Sequence, residues 1–230
     1  MCYSFYTSVV SYILGIVSAV FAFCTRQMVF GCLILAYAHM QLSEAMIWMG
    51  IDKGDEKLNA RGTSFGKYLL TVHNFALGIG IVLSVIFISK RHLQWTDFVP
   101  ALLGLLFTVI IIVTQYLPKK YPGVSFPQHV ACAKEPRCQT PENRLRWPYP
   151  HGWYIFSFAL SLVIMFFWIK PVKSKILFGL VFGLSFLVAG LIYPKTVGSV
   201  WCWSTSFIAP LIVLSNYFLI RQDASAGLVT

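Results

Sequence analysis

Charged side chains are scarce in this chain. They make up 11% of its 230 residues, against about a quarter in ordinary soluble domains. Only 8 residues are acidic, whereas apolar residues form 57% of the chain. The composition excludes an ordinary soluble domain and indicates an integral membrane protein.

Motifs of several membrane-protein classes are missing as well. The last long apolar segment, 199–220, has neither the mid-span Lys of a retinal-binding rhodopsin nor the His-x-x-x-His pair of ceramidase-like hydrolases. The third apolar segment lacks the Cys and the acidic-Arg-aromatic ending of G-protein-coupled receptors. The sequence contains no internal repeat, so it does not support a transporter built from duplicated triple-helix units. No base precedes the first apolar segment, so a cleaved signal is not predicted. Because 199–220 contains no Lys, no retinal is expected.

Seven apolar segments reach the length that a helix needs to cross a bilayer, about 20 residues. We predict an all-α, integral membrane bundle of seven transmembrane helices, with spans at 5–24, 29–51, 65–89, 97–117, 152–169, 175–193 and 199–220. A short polar tail follows at 221–230. The one long connection, 118–151, is rich in Pro and is expected to be an ordered cap or a loose flap rather than a domain.

The basic residues give a net charge of +10, but they lie in the connections, where lipid head groups explain them. No nucleic-acid-binding motif is present, so the predicted partner is the lipid bilayer. The connections on the N-terminal side hold 11 bases, which favours a cytosolic N-terminus. Arg26, the first base after the first span, argues the opposite. We predict an N-terminus outside, because the 7 bases of the opposite side, Arg26 among them, crowd into short connections with few acids.

The second span carries polar groups that lipid does not tolerate. On a helix, Tyr37, Gln41, Glu44 and Trp48 fall at i, i+4, i+7 and i+11 and form one stripe. A carboxyl group inside a span costs on the order of 2.5 kcal/mol or more on insertion scales. Glu44 must therefore be protonated, paired or turned towards a polar interior, which the other helices have to supply.

Further polar and aromatic residues fall at the ends of other spans that share the N-terminal side. The polarity of the bundle is therefore predicted to be one-sided, as in a pocket that opens towards that face. The predicted lining is Tyr37, Gln41, Glu44, Trp48, Thr71, His73, Asn74, Gln115, Trp201 and Ser204. Two alternatives stay open: an interfacial aromatic belt that includes Trp201, and a structural hydrogen-bonded pair of Glu44 and His73.

The cysteines are compatible with several arrangements. Cys2 and Cys202 are predicted at the same face, where they form a disulfide, complete a zinc site with Glu44 and His73, or stay unpaired. Zinc is the one cofactor that these residues suggest. In the long connection, Cys132 and Cys138 predict a small disulfide loop in an oxidising compartment and free thiols in the cytosol.

Three short patches carry a resemblance to a known family: Met1-Cys2-Tyr3-Ser4, Gln41-Leu42-Ser43-Glu44 with Trp48 four residues on, and Trp201-Cys202-Trp203. They resemble an uncharacterised family of seven-helix membrane proteins of bacteria and large DNA viruses. Its members begin Met-Cys-(Phe/Tyr/Trp)-Ser and carry Gln-x-x-Glu-x-x-x-Trp in helix two. The resemblance implies the seven-helix fold and draws attention to these patches, but it implies no reaction.

Three functions follow as hypotheses. The first is a binding or transport protein in which Gln41, Glu44 and His73 line a pocket for a small polar solute, an ion, a proton or a lipid head group. The second is a membrane-embedded, metal-dependent lipid hydrolase, with Glu44 as general base or ligand and with Cys2, His73 and Cys202 as ligands. The third is a structural or partner-binding membrane protein. The residues specify no substrate.

Overall fold

Long helices form nearly all of the described part of the chain. The computed structural model describes residues 4–89, 92–117, 123–127, 145–147, 172–192 and 197–225, and several isolated residues between 156 and 167. The helices are α1 (Phe5–Cys24), α2 (Met28–Lys53), α3 (Glu56–Ser84), α4 (Trp95–Ile111), α5 (Val172–Ile192) and α6 (Val197–Ser225). A π-helical segment ends α3 at Val85–Ser89, another ends α4 at Ile112–Tyr116, and a third lies within α5 at Gly179–Leu184.

Six helices in the described ranges are long and apolar enough to cross a membrane. This confirms a predominantly helical architecture with several helices able to cross a membrane. The predicted span at 152–169 lies mostly outside the described residues, although those described between 156 and 167 are helical. The seventh helix and the orientation of the N-terminus stay predictions.

Helix α2 is the central helix of the bundle. Of its most apolar 18-residue window, 72% is buried, against 22–33% for α1, α4, α5 and α6. It packs against α1, α3 and α6. An outer position would expose its polar stripe to lipid at a cost of several kcal/mol, about 2.5 or more for the carboxyl group alone. The most polar span therefore takes the interior position.

Helix α1 has two chemically different faces. Its large apolar side chains are exposed, as expected for a face that contacts lipid: Tyr6, Val10, Ile13, Val17 and Val20. Its buried face consists of small residues: Ser8, Ser11, Gly15, Ser18, Ala19 and Ala22. Small residues allow helices to approach closely in a membrane. A Cβ atom on Gly15 would lie 2.8 Å from the Cβ of Ala38 on α2.

A two-residue turn joins α2 to α3. Gly54 ends α2 with φ 65°, a left-handed conformation that glycine adopts without steric cost. Asp55 then caps α3, its carboxylate accepting from the Leu58 N–H at 3.0 Å. Helix α3 therefore starts at Glu56, well ahead of the predicted span at 65–89. Hydropathy marks the part of a helix inside the bilayer, whereas the cap determines where the helix begins.

The connection 118–151 is described in two pieces, 123–127 and 145–147, which we call the cap. Its backbone pairs as two short antiparallel strands, Phe126–Pro127 and Leu145–Arg146. Asn59 of α3 holds Ser125 at both backbone groups: Asn59 Nδ2 donates to the Ser125 carbonyl, and the Ser125 N–H donates to Asn59 Oδ1, each at 2.9 Å. The described pieces therefore dock on α3, while the form of the connection as a whole stays a prediction.

The cap also packs against the α2–α3 pair, at Gly66 of α3. A Cβ atom on Gly66 would lie 2.5 Å from both Ser43 Oγ and the Trp147 ring. Ser43 is itself tied to α3, because its hydroxyl donates to the Gly62 carbonyl at 2.8 Å. The indole of Trp147 thus fills a notch at Gly66 that only glycine leaves open.

Replacing Asn59 with Leu should release the cap. The substitution removes both hydrogen bonds to Ser125 and leaves buried backbone groups unpaired, at a cost of about 1–3 kcal/mol. Because about 1.4 kcal/mol corresponds to a tenfold change, trypsin should cleave within 118–151 about ten times faster or more. Asn59→Asp keeps the acceptor for the Ser125 N–H and should give an intermediate rate. Equal cleavage rates in detergent for Asn59→Leu and the wild type would contradict the docking.

Candidate intramembrane polar site

The stripe predicted on the second span is buried along its length. Tyr37, Gln41 and Glu44 are fully buried, and Trp48 is 5% exposed. Gln41 Nε2 donates to Glu44 Oε2 at 3.0 Å. Residues three apart are neighbours on a helix surface, so the sequence spacing alone brings this amide to the carboxyl group. Glu44 is thus held in the interior by a polar partner on its own helix.

Tyr37 is the point where four helices converge. Its ring contacts the rings of Trp201 on α6, His73 on α3 and Phe182 on α5, with centroids 4.6, 5.2 and 6.0 Å away. Trp201 is fully buried, and its Nε1–H donates to Ser185 Oγ on α5 at 2.8 Å. This burial favours an interior role for Trp201 over the interfacial belt.

His73 ties α3 to α2. Its Nε2 atom lies 3.2 Å from the Ala36 carbonyl oxygen. Because a carbonyl group can only accept, this hydrogen bond requires the ring proton on Nε2. Like the pair in the structural alternative, this hydrogen bond links α3 to α2, although its acceptor is the α2 backbone. A pair between Glu44 and His73 stays a prediction.

Four other predicted lining residues have different surroundings. The hydroxyl of Thr71 donates to its own helix at the Tyr68 carbonyl, 2.6 Å away, and that of Ser204 donates to the Trp201 carbonyl at 3.0 Å. The side chain of Asn74 is buried, and its backbone faces Gly104 of α4. Gln115 is half-buried in the π-helical end of α4. The structure therefore groups the α2 stripe, His73 and Trp201, while Thr71 and Ser204 direct their hydroxyls to backbone.

The proposed metal and disulfide sites fall largely outside the described residues. This applies to Cys2, Cys132 and Cys138, and to the side chain of Cys202. Within the described ranges, no three His, Cys, Asp or Glu side chains lie close enough to hold a metal ion. Cys24 and Cys32, which are described, are free thiols. The zinc site and the lipid-hydrolase hypothesis stay predictions.

Three serines that the sequence analysis did not select lie in the same half of the bundle. Ser8 and Ser11 on α1 and Ser206 on α6 are fully buried, and their hydroxyls have no hydrogen-bond partner among the described residues. The Nε1–H of Trp48 is in the same situation. The spacing of Ser8, Ser11 and Gly15 at i, i+3 and i+7 was the available signal, since it marks a small, polar helix face.

The prediction of one-sided polarity describes only part of the bundle, because a second buried polar cluster lies at the opposite end. Gln27 follows α1, and its Nε2 atom donates to Thr25 Oγ1 at 2.8 Å and to the Val213 carbonyl of α6 at 3.1 Å. Asn216 Nδ2 donates to Gln27 Oε1 at 2.8 Å. A lone amide within an otherwise apolar span could have signalled this cluster, since such a group needs a partner in the interior.

Comparison of the chain with protein-family models, with curated proteins and with solved structures finds no match.

Proposed function

We propose that this chain is a multi-pass membrane protein that binds a small polar solute, an ion, a proton or a lipid head group at Glu44 and transports it or holds it there. The observation that carries the proposal is the position of Glu44: a fully buried carboxyl group on the most buried helix, hydrogen-bonded to Gln41. Intramembrane acidic residues are expensive and typically mark ligand, ion or proton sites.

The chemistry around Glu44 supports a ligand that carries positive charge. A carboxylate attracts protons, ammonium groups and metal cations, and the amide of Gln41 supplies further polar capacity. The aromatic rings of Tyr37 and Trp201 present faces that attract cations within about 6 Å of the ring centroid. Tyr37 contacts Trp201, and Gln41 donates to Glu44. The i, i+4, i+7 spacing of Tyr37, Gln41 and Glu44 puts both pairs on one face of α2.

A purely structural Glu44 is the less economical explanation. Replacing buried ionic groups by apolar side chains of similar volume is often neutral or stabilising, so a carboxyl group adds little stability that Leu would not supply. Its presence in the central helix is explained more directly by a ligand that needs it.

Glu44→Gln should weaken binding while the fold is kept, because the amide has nearly the same size but carries no charge and no titratable proton. Purified protein would be tested for thermal stabilisation by Na⁺, K⁺, ammonium and choline, and in proteoliposomes for flux of the same ions and of protons. We expect at least about a tenfold loss of affinity or flux, the equivalent of about 1.4 kcal/mol.

The matched control is Glu56→Gln, the same chemical change at an exposed position in the first turn of α3. It should leave binding and flux unchanged. Equal responses of the wild type and Glu44→Gln to every probe would refute the role of Glu44.

A further inference from the structure

We infer that the outer face of α3 binds an anionic phospholipid at the N-terminal end of that helix. The basic side chains of Lys57, Arg61 and Lys67 hold the lipid phosphate, and the acyl chains lie along the exposed residues that follow. This site is separate from the intramembrane polar site and does not depend on the function proposed for it.

The first observation is a single exposed stripe along α3, with members at i, i+4, i+7, i+11 and i+15. We call it the α3 stripe, and it consists of Lys57, Arg61, Ser64, Tyr68 and Val72. Each member is the surface neighbour of the next, because residues three or four apart on a helix lie side by side. The chemistry changes in one direction along the stripe, from bases through a hydroxyl to an aromatic ring and an aliphatic side chain. Tyr68 is 49% exposed and Val72 42%.

The second observation is that the two bases at the start of the stripe stand on a helix. The sequence analysis placed both in a connection, between the predicted spans 29–51 and 65–89, whereas α3 begins at Glu56. Lys57 and Arg61 are therefore one turn apart, with about 5–6 Å between their Cβ atoms. Two positive charges at this spacing repel each other, and an anion bound between them removes the repulsion.

The acidic residues near this end of α3 do not neutralise the bases. Asp55 is the helix cap, and its carboxylate accepts from the Leu58 N–H at 3.0 Å. Glu56 stands about 100° around the helix axis from Lys57. No acidic side chain of the described ranges forms an ion pair with any of the three bases. Their charges are therefore available to an anion from outside the bundle.

Lys67 adds a third positive charge on the side of the stripe that faces α4. Its Nζ atom lies 5.4 Å from the ring centroid of Tyr68 and 4.9 Å from that of Tyr116, at the end of α4. Ring faces attract an ammonium group at these distances. Ser64 is three residues before Lys67 and four before Tyr68, so its hydroxyl adjoins both. The rings thus hold the ammonium group beside the stripe.

The length of α3 places these groups at the depth of lipid head groups. The helix runs from Glu56 to Ile88, 33 residues, whereas about 20 residues cross the hydrocarbon core. Counting about 20 residues back from Ile88, where the exposed apolar part of the helix ends, reaches Tyr68. Tyrosine is enriched at this boundary between hydrocarbon and head groups. Arg61 and Lys67 lie just outside it, at the level of the phosphates.

The composition of the site favours a phospholipid over a free anion. Arginine matches a phosphate with paired N–H donors, lysine adds a point charge, and the Ser64 hydroxyl can donate as well. A free phosphate would contact only these groups. The stripe continues into Tyr68 and Val72, and the neighbouring end of α4 exposes Val113 and Leu117. Acyl chains attached to the phosphate cover exactly this apolar surface.

The test uses the full chain in phosphatidylcholine nanodiscs that contain a trace of phosphatidylglycerol with a photoreactive diazirine in its acyl chain. After irradiation, mass spectrometry of proteolytic fragments measures crosslinking to the part of α3 around Tyr68 and Val72. Each base near the surface contributes about a fivefold preference for anionic lipid. Phosphatidylglycerol should therefore crosslink there about tenfold or more efficiently than phosphatidylcholine with the same label. Arg61→Gln/Lys67→Gln should lower its yield to that of phosphatidylcholine.

The matched control is Lys175→Gln/Arg221→Gln, which removes the same two charges at the opposite end of the bundle. These bases also lie against rings, Lys175 over Phe166 at 5.3 Å and Arg221 over Tyr217 at 4.8 Å. The control should leave crosslinking to α3 unchanged. Excess inorganic phosphate at matched ionic strength should not displace the labelled lipid.

Gel filtration and thermal unfolding would verify the fold of each variant. If Arg61→Gln/Lys67→Gln did not fold, Lys57→Gln/Arg61→Gln would replace it, because neither of these side chains makes a described ring contact. Equal yields for the two lipids in the wild type would overturn the inference. So would an undiminished yield in the folded variant, an equal loss in the control, or displacement by inorganic phosphate, which would identify a free anion as the ligand.

Discussion

Gly78→Ala should destabilise this protein by about 3 kcal/mol, the upper end of the usual cost of overpacking a well-packed interface. Gly78 is the point of closest contact between α3 and α4. A Cβ atom there would lie 2.7 Å from the Pro100 carbonyl carbon and closer still to the backbone of Ala101. Because these are backbone atoms, no side-chain rotation can make room, and the helices must separate.

The consequences would extend along the whole α3–α4 contact. Gly104 of α4 presses in the same way on the backbone of Asn74, and the Thr108 hydroxyl donates to the Thr71 carbonyl at 2.6 Å. Separating the helices at Gly78 would lengthen that hydrogen bond as well. Small residues at such positions let van der Waals contact replace the hydrophobic driving force that is lacking between helices in lipid.

Thermal unfolding in detergent would measure the effect, with Gly183→Ala as the matched control. Gly183 is also a helical glycine, but an added Cβ there meets no atom of the described residues within 4 Å. Its replacement should be neutral or stabilising by up to about 1 kcal/mol. If both variants unfolded at the same temperature, the close α3–α4 packing would be refuted.

Gln41→Leu should lower the free energy of unfolding by about 2 kcal/mol, while Gln41→Leu/Glu44→Leu should recover most of the loss. The single variant leaves the buried Glu44 carboxyl without the amide that donates to it at 3.0 Å, and hydrogen bonds to charged groups contribute about 1.5–3 kcal/mol. The double variant replaces both polar groups by apolar ones, which is often neutral or stabilising in an interior.

A double-mutant cycle with Glu44→Leu would measure the coupling, expected at about 1–2 kcal/mol. Each variant that lacks Glu44 should also lose ligand binding, even where its stability equals that of the wild type. That separation of stability from binding is the signature that distinguishes a ligand site from a helix-locking pair. Independent effects of Gln41→Leu and Glu44→Leu would argue that the two side chains do not act together.

Gln27 and Asn216 at the opposite end of the bundle provide a control pair of similar chemistry. They are buried and hydrogen-bonded at 2.8 Å, but they lie outside the proposed site. Gln27→Leu should destabilise the protein without changing its binding. A loss of binding in that variant would indicate that the assay reports the fold rather than the site.

The bounds of the first two long apolar helices followed closely from the sequence, because apolar length is a local property. The first predicted span, 5–24, coincides with α1 at Phe5–Cys24, and the second, 29–51, lies within α2 at Met28–Lys53. The start of α3 at Glu56 was not predicted, since a polar helical turn outside the bilayer resembles a loop in hydropathy. Helical extent beyond the membrane depends on the Asp55 cap rather than on apolar length.

Only the part of the candidate site that lies on a single helix, α2, could be predicted from the sequence. The i, i+4, i+7, i+11 spacing of the α2 stripe placed Gln41 and Glu44 together before any neighbour was known. The buried serines of α1 and α6 and the Gln27–Asn216 hydrogen bond were not predicted. The role of a small or polar residue in a span depends on the residue that faces it on the neighbouring helix.

The sequence by itself determined that this is a helical membrane protein and that one of its helices carries a carboxyl group into the interior, because burial cost and helical periodicity are properties of a single segment. Only the tertiary structure decided which helix became central, that Trp147 packs against Gly66 of α3, and that Gly15 of α1 lies against Ala38 of α2. These features depend on the register of one helix against another. Contacts between glycine, alanine and serine set that register, and no pattern within one span contains it.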